Sequence, residues 1–505
     1  MKKRRLLLTL LLTTLFSVGV CAQRKTIGLF GASGDVGDVK KGGTARFDLD
    51  TEEYTLVGSG ANMWAKRDEF HFLWKKLEGD FILTARARFV GKGVEPHRKM
   101  GLIIRSGLES DAAQASAVVH GDGLTSLQFR RAKGSDTEEI KTDLKAADVL
   151  RLQRKGDTFI MSVARFGEPF TTVQVAEVPL GASALAGLFV CSHNPDVSEE
   201  AVFRDVRLTV PAKNDFVPYR DYIGSHLEIL DVADGRRRIV YTVPDSLQAP
   251  NWTRDGRRLI YNRNGRLFSF DLAKKTPTEI DTGFAVNNNN DHVLSFDGKW
   301  LGISHHSRDD DGQSIIYVLP ATGGAPKRIT AKAPSYLHGW SPDGRWLVYT
   351  GGRDGNFDIY KISSEGGGAE EIRLTDAEGL DDGSEFSPDG KYIYFNSTRS
   401  GLMQIWRMKP DGSAPEQVTD DAFNNWFPHI SPDGRWLMMI SYARGDVAPD
   451  DHPFYKQVYL RLMPVGGGAG PKVVAYVYGG QGTINVPSWS PDGRRVAFVS
   501  NSEIK

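Results

Sequence analysis

Along 81–90 apolar and polar side chains alternate through Ala85-Arg86-Ala87-Arg88-Phe89, the two-residue period of a half-buried strand. Short apolar runs recur at 99–105, 126–131, 149–153, 158–164 and 187–191, split by Gly and Asp turn signals. That spacing predicts an antiparallel sandwich or jelly roll up to about residue 210. Further on a tetrapeptide repeats six times: Thr253-Arg254-Asp255-Gly256, Ser295-Phe296-Asp297-Gly298, Ser341-Pro342-Asp343-Gly344, Ser387-Pro388-Asp389-Gly390, Ser431-Pro432-Asp433-Gly434 and Ser490-Pro491-Asp492-Gly493. An apolar or aromatic residue precedes each copy, as Trp340 and Trp489 do, and an apolar strand such as Trp346-Leu347-Val348-Tyr349 follows it.

The tetrapeptide has a legible chemistry. Pro presets φ, Asp bonds the following backbone and Gly supplies a positive φ, so the four residues join two strands in a tight hairpin. Successive copies lie 42 to 59 residues apart, the length of a four-stranded propeller blade. Third strands end at Ile316-Tyr317, Ile359-Tyr360 and Ile405-Trp406, and fourth strands near Ile329-Thr330, Leu374-Thr375 and Val418-Thr419. Six repeats of four strands predict an all-β chain ending in a six-bladed β-propeller. The sixth repeat stops after its second strand, 496–499, so strands 226–231 and 238–242 from ahead of the first repeat are expected to complete it. Such closure leaves no open sheet edge.

Two resemblances attach to these residues. The Ser-Pro-Asp-Gly turns, with Ser397-Thr398-Arg399-Ser400-Gly401 before a third strand, resemble the TolB-type propellers of bacterial envelopes over residues 226–505. TolB itself carries an α/β domain where this chain is predicted to be all-β, so the resemblance is one of fold. Upstream, Gly58-Ser59-Gly60-Ala61-Asn62-Met63-Trp64, Asp68-Glu69-Phe70-His71-Phe72, Gly79-Asp80-Phe81 and Lys99-Met100-Gly101-Leu102-Ile103-Ile104-Arg105-Ser106 are similar to concanavalin-like jelly-roll modules of secreted carbohydrate proteins. That similarity implies sugar contacts, for which Trp64, His71, Trp74, His120, Arg130 and His193 are available. Aromatics of sandwiches are more often buried, so Trp64 and Trp74 are expected in the core and the histidines on the surface.

Composition adjusts this picture. Lys2, Lys3, Arg4 and Arg5 precede the apolar run 6–20, and Val20-Cys21-Ala22 offers small residues, the layout of a signal peptide cleaved near Ala22. The apolar run is shorter than the ~20 residues of a spanning helix, and no later stretch reaches that length. Without the leader, 59 basic residues face 63 acidic ones, which argues against a nucleic-acid binder. Cys191 is then the single cysteine, so no internal disulfide can form. The Gly-rich run 25–37 is not read as a dinucleotide loop, because Gly42-Gly43-Thr44 would occupy the helix that loop requires. The expected organisation is a signal peptide 1–22, a jelly roll 24–210, a linker 211–225 and a propeller 226–505, in a periplasmic or secreted protein.

Candidate chemistry lies just ahead of each turn, where the inner strands begin. Asn290, Asp291, His292, His338, Asp382, Glu385, Asn425, His429, Gln481 and Asn485 occur there at a density that a turn does not need. Because blades are radial, equal offsets converge on the axis; His292 shares one offset with His338, and Glu385 shares the next with His429. His452 sits in a long insertion of the fifth repeat, expected to fold over one mouth of the channel. His292, His338 and His429 are expected as metal or acid–base residues, with Asp382 and Glu385 as ligand or base. Asn290, Asp291, Asn425, His452, Gln481 and Asn485 would hold substrate. Three histidines with carboxylates suit a divalent Mn, Zn or Ni ion. The layout is similar to oligogalacturonate lyase, in which axial His and Gln hold a metal and which has a seventh blade. His305 and His306 are expected on the surface, and Arg353 and Arg399 as hairpin residues. The leading expectation is a carbohydrate-engaging protein whose axial pocket binds a glycan and cleaves it as a polysaccharide lyase or glycoside hydrolase. The alternatives are a non-catalytic TolB-like scaffold for envelope proteins and a ligand-binding sensor.

Overall fold

The alternation produces strands throughout: in the computed structural model, which describes residues 26–504, the helical structure is one 3-10 turn at Arg308–Asp310. The leader 1–22, with Cys21, lies outside the described residues. Ahead of the repeats the chain forms a pair of antiparallel seven-stranded sheets. The first is centred on Ser183–Cys191, Lys99–Arg105 and Gln114–His120, the second on Val149–Lys155, Phe81–Val90 and Glu199–Thr209. Alternate residues point inward, so Leu102, Ile104 and Leu127 of one sheet and Leu83, Leu150 and Phe203 of the other share a single core. Each such side chain contributes about 1.5–3 kcal/mol on burial. The Gly-rich stretch supplies the edge strand Ala32–Val36, which pairs with Phe70–Glu78.

A small hairpin, Met63–Trp64 with Arg67–Asp68, closes over the outer face of the first sheet. Its Asp68 is fully buried and accepts hydrogen bonds from Arg105 (2.5 Å) and Arg130 (2.8 and 2.9 Å). Arg130 is therefore committed to holding the hairpin. Trp64, His71 and His120 reverse the expectation, while Trp74 packs partly on the core and His193 is half-buried. Trp64 is 40% exposed and Trp74 half-buried. His71 is buried against Asp35 (2.7 Å) and His120 against Gln128 (3.2 Å). Each ring finds a partner for one nitrogen only: His71 Nε2 and His120 Nδ1 are buried without one, so the cost of burying the rings is offset only in part.

Downstream, five four-stranded sheets follow in chain order, and a sixth blade is assembled from both ends of the region. Arg495–Asn501 pairs with Ser225–Asp231, which pairs with Arg237–Val243, and Trp489 bridges to Val496 on the inner side. The six turns are built alike. In each, the Ser or Thr hydroxyl donates to the Asp carboxylate at 2.5–2.7 Å. The Gly of each turn sits at φ between +68° and +73°, where a side chain is strained.

The inner strands of the first five blades are Gln248–Trp252, Asn288–Leu294, Ser335–Trp340, Asp381–Phe386 and Phe423–Ile430. Every one contains a β-bulge, an interruption of register between its outer-mouth half and its turn half. Ala249, Gly383 and Phe427 take left-handed backbone at the bulge, four residues ahead of the turn. A bulge re-aims the side chains beside it.

The second N-terminal sheet lays its outer face on the propeller. Val149 and Ala164 pack on Val473 and Tyr476, and Arg207 pairs with the fully buried Glu228 of the closing blade at 2.9 Å. The segment 211–224, expected as a linker, packs through Phe216 and Ile223 on Phe454 and Tyr455.

Candidate functional site

Where the inner strands begin, the axis widens into a cavity of about 900 Å³. One register supplies its wall. Gln248, Asn290, Tyr336, Asp382 and Asn485 each stand five residues ahead of the turn residue of their own blade, and all five line the cavity. Side chains at one offset converge because the blades are arranged radially. The bulge then adds two more. In the third blade Leu337 pairs with Tyr349 and Gly339 with Val348, so His338 is the extra residue and turns into the cavity. In the second blade the irregularity falls earlier, between Asn288 and His292; it places Asp291 in the wall and returns His292 to the ladder opposite Ile303.

Two of the sequence-derived residues are thereby brought into contact. His338 Nε2 lies 2.9 Å from Asp382 Oδ1, an ion pair whose angle misses that of a hydrogen bond, and Thr350 donates to the same oxygen at 2.6 Å. Burial works against charge on the His338 ring, but the charges of Asp382 and Asp291 outweigh it and raise its pKa. Burial likewise opposes ionisation of Asp382, and the His338 charge prevails, holding that carboxyl well below the usual range. Asp291 has no such partner: burial pushes its carboxyl up to about 7, with Asp382 adding to the rise and His338 opposing it. The two carboxyls of one cavity are thus driven apart in acidity.

The insertion at 444–455 forms a section of the cover. His452 packs on Trp426 with the rings tilted by 35° and 4.2 Å between centroids, and burial lowers its pKa. Tyr219 and Tyr222 reach across from the connecting segment onto Phe454, at 5.3 and 5.7 Å. Asn485 donates to Gln481 (2.9 Å), and Asn290 Nδ2 is buried without a partner. Among the described residues no lysine or arginine lines the cavity.

Other expected residues lie elsewhere. His429 takes no place in the cavity: Nδ1 meets Glu385 at 2.6 Å and Nε2 meets the Ile484 carbonyl. Glu385 also takes the Ile430 amide at 3.3 Å. His292 is fully buried with Nε2 on the Ile260 carbonyl (3.3 Å). Asn425 is enclosed by Gln404, Asp421, Ser441 and Arg461. The expectation of a shared metal on His292, His338 and His429 is therefore corrected. Among the described residues no three His, Cys, Asp or Glu side chains come together as a metal site, because the bulges send the three rings to different layers. His305 and His306 also differ from expectation, the first being buried and the second half-buried in the cavity wall. Arg353 and Arg399 brace hairpins through Glu371 (2.9 Å) and Asp381 (2.6 Å). Sequence reasoning missed Gln248 and Tyr336, which the shared offset of five would have found, and Tyr219, Tyr222 and Phe454, which no repeat pattern marks.

A closed six-bladed propeller with a polar, lidded axial cavity defines the class. The family follows from the comparisons: residues 331–451 match the TolB beta propeller domain. An uncharacterized protein of Agrobacterium fabrum, Atu1656, is 46% identical over 276 residues, 54% of this chain and 92% of its own length. A structure designated TolB from Agrobacterium tumefaciens is 44% identical with a TM-score of 0.53, covering 56% of this chain and 100% of that one. TolB from Acinetobacter baumannii aligns at 20% identity and TM-score 0.40, over 51% of this chain and 64% of its own. The chain belongs, through its propeller, to the TolB-like β-propeller family.

Proposed function

We propose that the axial cavity binds the end of a neutral glycan and hydrolyses it by acid–base catalysis. The observation that carries this reading is the pair Asp291 and Asp382: one carboxyl retains its proton to about pH 7 and the other is held ionised beside His338. Asp291 would give its proton to the leaving glycosidic oxygen while Asp382 stabilises positive charge at the anomeric carbon or takes a proton from the attacking water. The C–O bond breaks, water supplies the new hydroxyl, and the Asp291 proton ends on the released alcohol. Amides of Gln248, Asn290, Gln481 and Asn485 suit vicinal hydroxyls, and Tyr336 and Phe427 offer apolar faces. A uronate would bring its carboxylate to Asp291, Asp382 and Asp450 with no lysine or arginine to meet it, which favours hydrolysis of a neutral sugar over elimination from an acidic one.

The leader sequence supports a periplasmic or secreted location. We read the two seven-stranded sheets as a concanavalin-like jelly roll spanning 24–210, a second sugar-facing module with Trp64 exposed. Membership of the TolB-like family supports the second reading, a non-catalytic scaffold for envelope proteins. The deciding experiment screens neutral and uronic oligosaccharides for binding and cleavage by wild type, Asp291→Asn and His338→Gln. Retained binding with at least 100-fold slower cleavage in Asp291→Asn supports hydrolysis. Absence of cavity-dependent binding leaves the scaffold.

A further inference from the structure

At the seam between the second N-terminal sheet and the closing blades lies a separate cavity of about 100 Å³. At ~30 Å³ for each water, it has room for about three. Its walls carry Arg151, Arg207 and Arg237, with His226 and with Ser500, whose hydroxyl is given to Glu228. Arg207 and Arg237 share Glu228, at 2.9 and 2.7 Å, and Arg207 reaches Glu52 at 3.6 Å. Those two carboxylates balance those two arginines. Arg151 is the excess charge.

Among the described residues Arg151 pairs with no carboxylate. Its Nη1 donates to Gln457 Oε1 of the propeller (2.5 Å), its Nη2 to Ser162 Oγ (3.1 Å), and its carbon lies 4.3 Å over the Phe170 ring. Burial pulls its pKa down to about 10, and Tyr459 and Asp446 oppose that only in part. A half-buried guanidinium, met only by neutral oxygens and a ring, leaves a field that favours an anion. The planar fork of arginine matches a tetrahedral oxyanion through two parallel N–H bonds.

We propose that this seam cavity is an anion site, taking a small tetrahedral oxyanion on Arg151 with His226 as a neutral partner, so that the anion joins the N-terminal sheets to the propeller. The site is independent of the axial cavity and of its chemistry.

The test uses the full mature chain with inorganic phosphate, against chloride at matched ionic strength. Phosphate is expected to raise the melting midpoint of wild type by roughly 1–3 °C. The rise disappears in Arg151→Gln and persists in Arg220→Gln, whose arginine is exposed beside Asp221. Wild-type crystals soaked in selenate give an anomalous peak in the seam, a readout that needs no variant. An absent peak, or an equal rise in Arg151→Gln, overturns the proposal.

Discussion

Replacing Asp291 with asparagine is expected to make the protein more stable above neutral pH. The carboxyl holds its proton to about pH 7 in the folded chain, because burial disfavours its charge, whereas the unfolded chain releases it near the ordinary value of 3.8. Between those two values the folded state binds one proton more than the unfolded state, so stability falls as pH rises through that window. The stabilisation is fully present below about pH 4 and gone above about pH 7. Each tenfold difference in proton affinity is worth about 1.4 kcal/mol, so the whole window amounts to about 4 kcal/mol. Asparagine cannot ionise and escapes the penalty. Removing the Asp291 charge also weakens the hold of His338 on its own proton, which returns a fraction of the gain. A net advantage of about 2–3 kcal/mol at pH 8 is therefore expected, shrinking to nothing near pH 4. Urea unfolding of wild type and variant from about pH 4 to 8.5, followed by tryptophan fluorescence, measures it. Parallel pH profiles, or a variant less stable than wild type at pH 8, would refute the burial of an ionisable Asp291.

Glu228→Gln leaves Arg207 and Arg237 facing each other in a buried seam and is expected to cost about 3–5 kcal/mol in unfolding free energy. Burial opposes ionisation of Glu228, and the two arginines overcome it and depress its pKa. Its contribution is accordingly present above about pH 5 in wild type and lost as pH falls below about 4, and the variant lacks that acid-side loss. Asn425→Ala breaks the enclosed network with Gln404, Ser441 and Arg461 and is expected to cost about 2–3 kcal/mol by denaturant titration. Ligand affinity measured by calorimetry stays unchanged, since Asn425 stands outside the cavity. Gly344→Ala meets no neighbouring atom, so its expected loss of about 1–2 kcal/mol in thermal unfolding comes from the left-handed backbone alone.

Blade number and closure were legible because the Ser-Pro-Asp-Gly turn is a local device. Its hydroxyl–carboxylate bond and its left-handed glycine depend on four consecutive residues, so they can be read without tertiary context. The mouth of the channel was less fully legible. Asn290, Asp291, His338, Asp382, Gln481 and Asn485, clustered ahead of the turns, line one cavity together with His452 of the insertion. His292, Glu385 and His429 stay out of the cavity because they stand on the turn side of the register break, paired in the ladder with Ile303, Tyr394 and Met438. One extra residue exchanges the two faces of a strand, and nothing in the composition of Leu337-His338-Gly339 announces it. Tyr219 and Tyr222 were read as linker because contacts between distant segments leave no periodic trace.

The bulge also explains how one chain uses aspartate for two opposite ends. The six turn aspartates are held below the usual carboxyl range first by the neighbouring hydroxyl, at the exposed rim, so they remain charged and fix the hairpins. Asp291 and Asp382 stand only four and five residues ahead of those turns, yet they are buried on the axis, where burial and His338 set their protons. A regular strand would carry the ladder of the turn half straight through to the mouth and put the pleat in command of both. With the register interrupted between them, the turn half stays locked in the blade while the mouth half is free to aim polar side chains inward. Substitutions on the turn side of the bulge are therefore expected to change stability with the cavity intact, and those on the mouth side to change proton affinities with the blade intact.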